Sequence, residues 1–280
     1  MRIGNLAGRL VIVGSSGAID VEQASEGRFA SDPQAIYDRW DEFRQWAAQG
    51  PSCNATAYNP ADLGAPAPRP RQLFAIGLNY RDHVAESGFG LPDQPPVFTK
   101  FMSAITGPFG EIAIPAGNVD WEVELVVVMG KGARDIDESQ AWDHIAGVTA
   151  GQDISERITQ SIGPAPQFSL GKSFPSFAPM GPWLVTPDEL PARDDLALGC
   201  SVNGEKVQDS RTSFLMFNVP ALLQRLSSVL PLLPGDVIFT GTPAGVGMGR
   251  MPPRFLATGD ELVTYIEGVG EMRHRIVARQ

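Results

Sequence analysis

Two glutamates, Glu122 and Glu124, lie two positions apart in an apolar run that extends from residue 119 to residue 130. The β-branched residues of this run and the glycine at its end predict a β-strand, in which alternate side chains point to the same face. The length of the run favours a strand that is covered on both faces, and a solvated edge strand is the alternative. Two buried carboxylates this close together need a compensating cation, which is either a basic side chain or a metal ion.

A third carboxylate, Asp153, follows the short apolar run at residues 145–149. A neighbouring strand that ends there would bring Asp153 to the two glutamates. Three carboxylates without Cys or His ligands are typical of a hard-cation site, which favours Mg²⁺ or Mn²⁺ over Zn²⁺. Two alternatives stay open: a structural Ca²⁺ site in a non-catalytic binding protein, and a role for Asp153 as the N-cap of a helix over residues 154–160.

Two glycine-rich segments look like nucleotide-binding loops but lack required features. Residues 171–173 read Gly-Lys-Ser, as at the end of a P-loop, yet Pro166 stands where that motif needs a glycine. Residues 245–249 follow a predicted strand, but Pro252 comes where a phosphate-binding helix should begin. The second segment therefore predicts a flexible loop, and neither segment indicates a nucleotide.

Composition narrows the class of protein. The chain has 280 residues and a formal net charge of -10, so no basic field is available to attract nucleic acid or an anionic membrane. Its 30 glycines and 24 prolines disfavour a helical bundle. Neither a signal peptide nor an apolar stretch of membrane-spanning length is visible, and Cys53 and Cys200 are distant in sequence, which together predict a cytoplasmic protein without disulfides.

The predicted elements indicate a β-rich mixed α/β chain in two parts. Residues 1–70 form a small N-terminal α+β domain, with short strands at its start, a helix over residues 33–48 and a proline-rich linker over residues 59–70. In the main domain, residues 71–280, helices are predicted only near residues 137–144 and 219–228, so a βαβ repeat is disfavoured. Strands there are predicted from the apolar runs at residues 73–76, 97–105, 121–129, 145–149, 183–185, 196–202, 237–240 and 262–266.

Several motifs in a fixed order make residues 71–275 resemble the fumarylacetoacetate hydrolase family, in its acylpyruvase and 2-hydroxyhepta-2,4-diene-1,7-dioate isomerase branch. The resemblance implies a mixed β-sheet roll, similar to a β-sandwich, with few short helices, and usually a homodimer. It also implies a Mg²⁺ or Mn²⁺ ion, which a crystal could replace by Ca²⁺. The motifs are Glu122-Val123-Glu124, residues 151–155, residues 170–174 and residues 240–247.

The resemblance carries roles over to residues of this chain. Glu122, Glu124 and Asp153 correspond to the metal ligands, in agreement with the reading of the carboxylates given above. Lys172 corresponds to an active-site lysine near substrate and metal, and its alternative is a lysine in a turn. Substrate oxygens would be contacted by Arg157, Gln160 and Thr242. Arg157 and Gln160 lie one and two helical turns beyond Asp153, so these three residues are expected to share a helix face. The alternative is a solvated helix face for Arg157 and Gln160, and a turn for Thr242.

The segment at residues 77–86 also resembles the family. In its hydrolytic members a His-x-x-Glu pair lies on a lid and the histidine activates water, which assigns these roles to His83 and Glu86. Residues three apart are neighbours on one helical turn, so a carboxylate that orients an imidazole base is physically reasonable, whereas an exposed loop histidine is the alternative. Gln152 replaces an asparagine of many relatives, which affects the surroundings of the metal ligands.

The resulting hypothesis is a hydrolase that cleaves the C–C bond of a 2,4-diketo acid, an acylpyruvate or a diketo-deoxy sugar acid, through a metal-bound enolate. The same enolate chemistry would serve an isomerase of 2-hydroxymuconate-type diacids or an oxaloacetate decarboxylase, and the intact His-x-x-Glu pair favours the hydrolase. The expected partner is a small keto acid. Its tail would contact residues 89–96, 167–168 and 245–254.

Overall fold

A computed structural model describes residues 1–51, 54–88 and 90–279 of the chain. These residues form three β-sheets with short helices between them, which confirms the predicted β-rich mixed fold. Cys53 lies outside the described residues, and Cys200 is a buried free thiol. The helices are α1 (Val21–Ala24), α2 (Trp40–Ala47), α3 (Arg81–Ser87), α4 (Arg157–Gln160), α5 (Phe168–Gly171) and α6 (Val219–Val229).

The largest sheet has two buried antiparallel strands near its centre, and their apolar sequences explain the burial of both faces. Along the main path of this sheet the order is β3-β2-β1-β13-β11-β10-β16-β5-β6. Two further strands join it at the side, β4 on β1 and β7 on β13. Its strands are β1 (Arg2–Leu6), β2 (Arg9–Gly14), β3 (Gly17–Asp20), β4 (Leu63–Gly64), β5 (Leu73–Ile76), β6 (Val97–Phe98), β7 (Ile105–Thr106), β10 (Val123–Met129), β11 (Ile145–Gln152), β13 (Ala178–Val185) and β16 (Val237–Phe239).

A five-stranded sheet packs beside it in the order β15-β14-β17-β18-β8. Three of its strands were not among the predicted runs, since they carry charged residues; along β18 buried and exposed positions alternate. A two-stranded ribbon pairs β9 (Val119–Asp120) with β12 (Ser155–Glu156). The strands of the five-stranded sheet are β8 (Phe109–Ile114), β14 (Ala197–Val202), β15 (Glu205–Arg211), β17 (Glu261–Ile266) and β18 (Gly270–Ala278).

Two of the predicted strands are interrupted. The apolar run at residues 97–105 forms only β6 and β7 at its two ends, because the chain between them turns Lys100 into the interior. The run at residues 119–130 is also not one strand: β9 ends at Asp120, and β10 begins only at Val123.

The N-terminal residues belong to the same sheet as the rest of the chain. Strand β1 pairs with β13, with Arg2 opposite Val185, and one continuous core contains both Ile3 and Val123. The predicted helix over residues 33–48 is present as α2 preceded by a 3₁₀ turn, Ala35–Arg39. The domain boundary near residue 70 stays a prediction, although the residues on its two sides share hydrogen bonds and a core.

None of the helices in the described part of the chain combines the length and the apolar character that crossing a membrane requires.

Candidate active site

The three predicted carboxylates meet at one end of the central strand pair. In the antiparallel pairing of β10 with β11, Val123 lies opposite Gln152, so the chain leaves the sheet at Asp153 next to Glu122. The Asp153 amide donates a hydrogen bond to the Glu122 carbonyl over 2.9 Å. One oxygen from each of Glu122, Glu124 and Asp153 lies within 4.8 Å of the others, and the three residues are 4%, 1% and 0% exposed. The alternative of a solvated edge strand is therefore wrong.

The helix that follows Asp153 is shorter than predicted. Ribbon strand β12 comes between Asp153 and α4, so Glu156 is the N-cap, and its carboxylate accepts hydrogen bonds from the amides of Ile158 and Thr159 over 3.1 and 2.7 Å. The predicted N-cap role of Asp153 is therefore wrong, as is the shared helix face of Asp153, Arg157 and Gln160.

Two buried lysines neutralise the carboxylates. Lys172 Nζ lies 2.7 Å from Glu122 Oε2 and 2.6 Å from Asp153 Oδ2, which places the predicted lysine at the cluster. Lys100 Nζ lies 2.5 Å from Asp153 Oδ1 and also donates to the carbonyls of Ile154 and Lys172. Lys100 was not predicted, because it lies in an apolar run that predicts a strand, and only the turn after β6 directs its side chain inward.

Arg157 joins the cluster through a fourth buried carboxylate, Asp120. The Arg157 guanidinium bonds Asp120 Oδ2 through Nε at 2.9 Å and Nη2 at 2.8 Å, and its Nη1 lies 2.8 Å from Glu122 Oε1. Asp120 also accepts hydrogen bonds from the amides of Gly247 and Met248 over 2.7 and 3.0 Å. The loop predicted to be flexible is thus anchored on a carboxylate, and residues 247–249 form a 3₁₀ turn.

The electrostatics of the cluster suit a bound divalent cation. Burial opposes ionisation of Glu122, but Lys172 and Arg157 lower its pKa to about 2. Burial and the neighbouring Asp153 and Glu122 carboxylates raise the pKa of Glu124 well above its ordinary value. Because a dication would remove that repulsion, and because the donors are all carboxylate oxygens, the cluster fits Mg²⁺ or Mn²⁺.

The predicted histidine–glutamate pair is formed on α3. His83 Nδ1 lies 2.8 Å from Glu86 Oε1, and Glu86 Oε2 accepts a hydrogen bond from the Gly245 amide over 2.9 Å. His83 is only 7% exposed, so the alternative of an exposed loop histidine is wrong. Gly88, at φ 73°, ends the helix in the left-handed conformation.

Several of these groups line one cavity of about 330 Å³. Thr242 Oγ1 accepts a hydrogen bond from Gln208 Nε2 over 2.8 Å, and Gln160 Oε1 accepts one from Arg157 Nη1 over 3.1 Å. Of the predicted site residues, Glu124, Asp153 and Glu86 do not line the cavity but contact groups that do. Those that line it are His83, Glu122, Arg157, Gln160, Lys172 and Thr242.

The segments predicted to contact a substrate tail contribute unequally. Phe168 and Met248 line the cavity, as predicted for residues 167–168 and 245–254. None of the described residues 90–96 does, and Phe89 lies outside the described residues.

Residues 72–277 match the family model described as Fumarylacetoacetate (FAA) hydrolase C-terminal. The chain belongs to the fumarylacetoacetate hydrolase family. Since members of this family are enzymes, the chain is an enzyme, and a non-catalytic binding protein is set aside.

Known members of the fumarylacetoacetate hydrolase family resemble the chain in sequence and structure. A mitochondrial oxaloacetate tautomerase from Bos taurus is 43% identical over 215 residues, which are 76% of this chain and 68% of the relative. A crystal structure from Mycobacterium smegmatis, described as that of an HpcE protein, has a TM-score of 0.98 and 57% identity, with both chains covered completely. A maleylpyruvate hydrolase from Sphingobium sp. SYK-6, in complex with manganese(II) and pyruvate, has a TM-score of 0.81 and 27% identity, again with complete coverage.

Proposed function

We propose that this enzyme hydrolyses the C–C bond between C3 and C4 of a 2,4-diketo acid and releases pyruvate or a related 2-oxo acid. The observation that carries the proposal is the His83–Glu86 pair, whose histidine borders the same cavity as Glu122 and Lys172. Such a hydrolysis needs two components: a general base that activates water and a group that stabilises the negative charge of the enolate.

We further propose that Glu122, Glu124 and Asp153 hold Mg²⁺ or Mn²⁺. Support comes from the oxygen-only donor set and from the similar maleylpyruvate hydrolase, which was crystallised with manganese(II) and pyruvate. When bound, the cation would act as a Lewis acid on the oxygens of a 2-oxo acid and fix their position.

The base in this mechanism is His83. Its Nδ1 faces Glu86, whose carboxylate accepts a hydrogen bond from Nδ1–H and leaves Nε2 free to take a proton from water. The water oxygen adds to C4, and the electron pair of the breaking C3–C4 bond passes to the pyruvate fragment as an enolate. The His83 imidazolium then returns its proton to C3, which gives pyruvate and restores the base, and the acyl group leaves as a carboxylic acid.

Other residues of the cavity would orient the substrate and balance its charge. Lys172 and Arg157 offset the negative charge that develops on the enolate oxygen, in a buried setting where such interactions are strong. Because the Thr242 hydroxyl already accepts a hydrogen bond from Gln208, its own proton is available for the substrate carboxylate. Gln208 was not predicted, since it lies on β15, a strand that the sequence did not reveal.

A second candidate is oxaloacetate tautomerisation, favoured by the 43% identity to the mitochondrial tautomerase. The same base would move a proton between C3 and the 2-oxo group, with no bond between carbons broken. Decarboxylation of oxaloacetate and isomerisation of 2-hydroxymuconate-type diacids use the same enolate and complete the set of alternatives.

The deciding experiment follows the enol absorbance of acetylpyruvate with metal-stripped enzyme and then with Mg²⁺ or Mn²⁺ restored. We expect decay only with metal, and one pyruvate for each acetylpyruvate consumed. If acetylpyruvate persists while oxaloacetate is tautomerised or decarboxylated, the hydrolase assignment is wrong and the second candidate replaces it.

We propose that the enzyme is a homodimer that works in the cytoplasm. Exposed apolar side chains on neighbouring segments support the dimer. The segments of Phe101 and α5 are neighbours, because the Phe101 amide donates a hydrogen bond to Ser173 Oγ close to α5. Light scattering of the native protein would give twice the chain mass, and a monomer would contradict the proposal. The exposed residues are Phe101, Met102, Ile158, Ile162 and Leu170.

A further inference from the structure

Beyond its polar groups, the active-site cavity has an apolar wall. The Phe98 and Phe168 rings pack edge to face with centroids 5.6 Å apart. The wall begins next to the charged cluster, because Lys172 Nζ lies 5.0 Å from the centre of the Phe98 ring. A substrate whose carboxylate end lies at the cluster would therefore extend along side chains that offer it no charge. The wall consists of Ile76, Leu78, Phe98, Pro166, Phe168 and Met248.

The cations that line the cavity are already paired. Among the described lining residues, the side chains with a permanent positive charge are those of Lys172 and Arg157. Lys172 lies between Glu122 and Asp153, and Arg157 bonds Asp120 and Glu122. In the proposed reaction both cations serve the 2-oxo acid end of the substrate. Gln160 and Ser161 add only neutral polar groups, so the described lining supplies no further permanent cation for a second carboxylate at the tail.

The formal charge of the buried cluster leads to the same conclusion. With all four carboxylates ionised, as metal binding requires, they face three buried cations, which leaves one excess negative charge. A divalent cation turns this into one positive charge, and one carboxylate of a 2-oxo acid neutralises it. A second substrate carboxylate would stay uncompensated in a partly buried apolar cavity, which is unfavourable. The carboxylates are Asp120, Glu122, Glu124 and Asp153, and the cations are Lys100, Arg157 and Lys172.

We infer that the enzyme selects monocarboxylate substrates, 2,4-diketo acids whose tail beyond C4 is uncharged and apolar, and discriminates against diacids. The inference rests on the proposed function, because it takes the 2-oxo acid end to lie at the carboxylate cluster. It sets this chain's preference apart from oxaloacetate, the diacid named for its bovine relative.

The test uses two unreactive ligands of equal length, 2-oxopentanoate and 2-oxoglutarate, which differ in a terminal methyl group or carboxylate. Calorimetric titration of the Mn²⁺-loaded enzyme should give a Kd for 2-oxopentanoate that is lower than the Kd for 2-oxoglutarate by about tenfold or more. Equal affinities, or tighter binding of 2-oxoglutarate, would overturn the inference while leaving the hydrolase assignment intact. Absence of binding by both ligands would contradict the proposed function, and the substrate class with it.

A gain-of-function variant tests the apolar wall directly. Met248 lines the cavity and is 38% exposed, so Met248→Arg can place a cation in the wall, and Met248→Gln is the neutral control of similar size. We expect Met248→Arg to lower the Kd for 2-oxoglutarate by about tenfold and Met248→Gln to leave it unchanged. An unchanged Kd in Met248→Arg, with 2-oxopentanoate still bound, would contradict the inference.

Discussion

Asp153 is held by a lysine on each of its two oxygens. Lys172 contacts Oδ2 and Lys100 contacts Oδ1, and Lys100 also donates to the carbonyl of Lys172. The two lysines therefore have different tasks: Lys172 borders the cavity, whereas Lys100 is fully buried and fixes the backbone that carries Lys172. Burial lowers the pKa of Lys100. At Lys172 the charges of Asp153 and Glu122 outweigh burial, and the pKa is raised.

Replacement of Lys100 tests this structural task. Lys100→Met leaves one Asp153 oxygen and two carbonyl groups without their buried partner, so we expect the free energy of unfolding to fall by about 3–5 kcal/mol. Urea unfolding of the metal-free protein measures it. The control is Lys131→Met, at a lysine that is 40% exposed and paired with Asp41, where we expect about 0–1 kcal/mol. Equal effects of the two substitutions would show that Lys100 has no such task.

Glu124 makes the stability of the metal-free protein depend on pH. Its pKa is about 4.5 in an unfolded chain and well above that in the folded protein, so the folded state keeps a proton that the unfolded state has lost. We therefore expect the Tm of metal-free protein to fall as pH rises above 4.5, and the Tm gain from Mn²⁺ to grow, because the ion replaces that proton. Thermal unfolding across pH 5–8 with and without Mn²⁺ measures both effects. A pH-independent gain, or the same trend in Glu124→Gln, would contradict this origin.

At the scale of elements, the active site joins ends that are distant in sequence. Apolar runs predicted β10 and β11, because local hydrophobicity identifies strands, and Glu124 and Asp153 were expected to meet if those strands were neighbours, as they are. The start of α4 was not predictable, since β12 pairs with β9 and this long-range pairing overrides the local N-cap signal of Asp153. Asp120, at the end of β9, and Lys100, in the turn after β6, were not predicted for the same reason: the role of a single polar residue depends on partners that the fold brings to it.

A substitution on helix α3 can separate the catalytic role of the site from metal binding, because α3 carries His83 but none of the three proposed metal ligands. His83→Ala removes the base but leaves Glu122, Glu124 and Asp153 in place, so we expect kcat to fall by about 10²–10⁴-fold with the Mn²⁺ affinity unchanged. Steady-state kinetics and calorimetric titration of Mn²⁺ measure the two quantities.

His144→Ala is the matched control, because His144 contacts the Gly132 carbonyl and does not line the cavity. It should alter neither quantity. A fall in Mn²⁺ affinity in His83→Ala, or an unchanged kcat, would remove His83 from the role of base.

At the scale of the whole molecule, the N-terminal residues support the strand that carries the active site. The indole of Trp40, on α2, packs directly against the backbone of Gly130, where an added Cβ would lie 2.5 Å from Trp40 Cδ1. Gly130 directly follows the last residue of β10, and Glu122 directly precedes the first residue of that strand. The sequence indicated a separate unit because prolines crowd residues 59–70, and a proline-rich segment on its own does not reveal that β1 and β4 pair within the main sheet.

Trp40→Ala tests whether the two parts of the chain unfold together. Trp40 is 3% exposed, so its truncation should lower the free energy of unfolding by about 3–5 kcal/mol. If the shared core makes the chain one cooperative unit, calorimetry will show a single transition that moves to lower temperature, and loss of Mn²⁺ binding will coincide with it. Trp46→Phe is the control, because Trp46 lies on the same helix and is only partly buried, and the substitution keeps an aromatic ring. A second transition, with Mn²⁺ binding retained after the first, would instead support an independent N-terminal domain. In that case the sheet contacts between residues 1–70 and the rest of the chain would contribute too little free energy to couple the two parts.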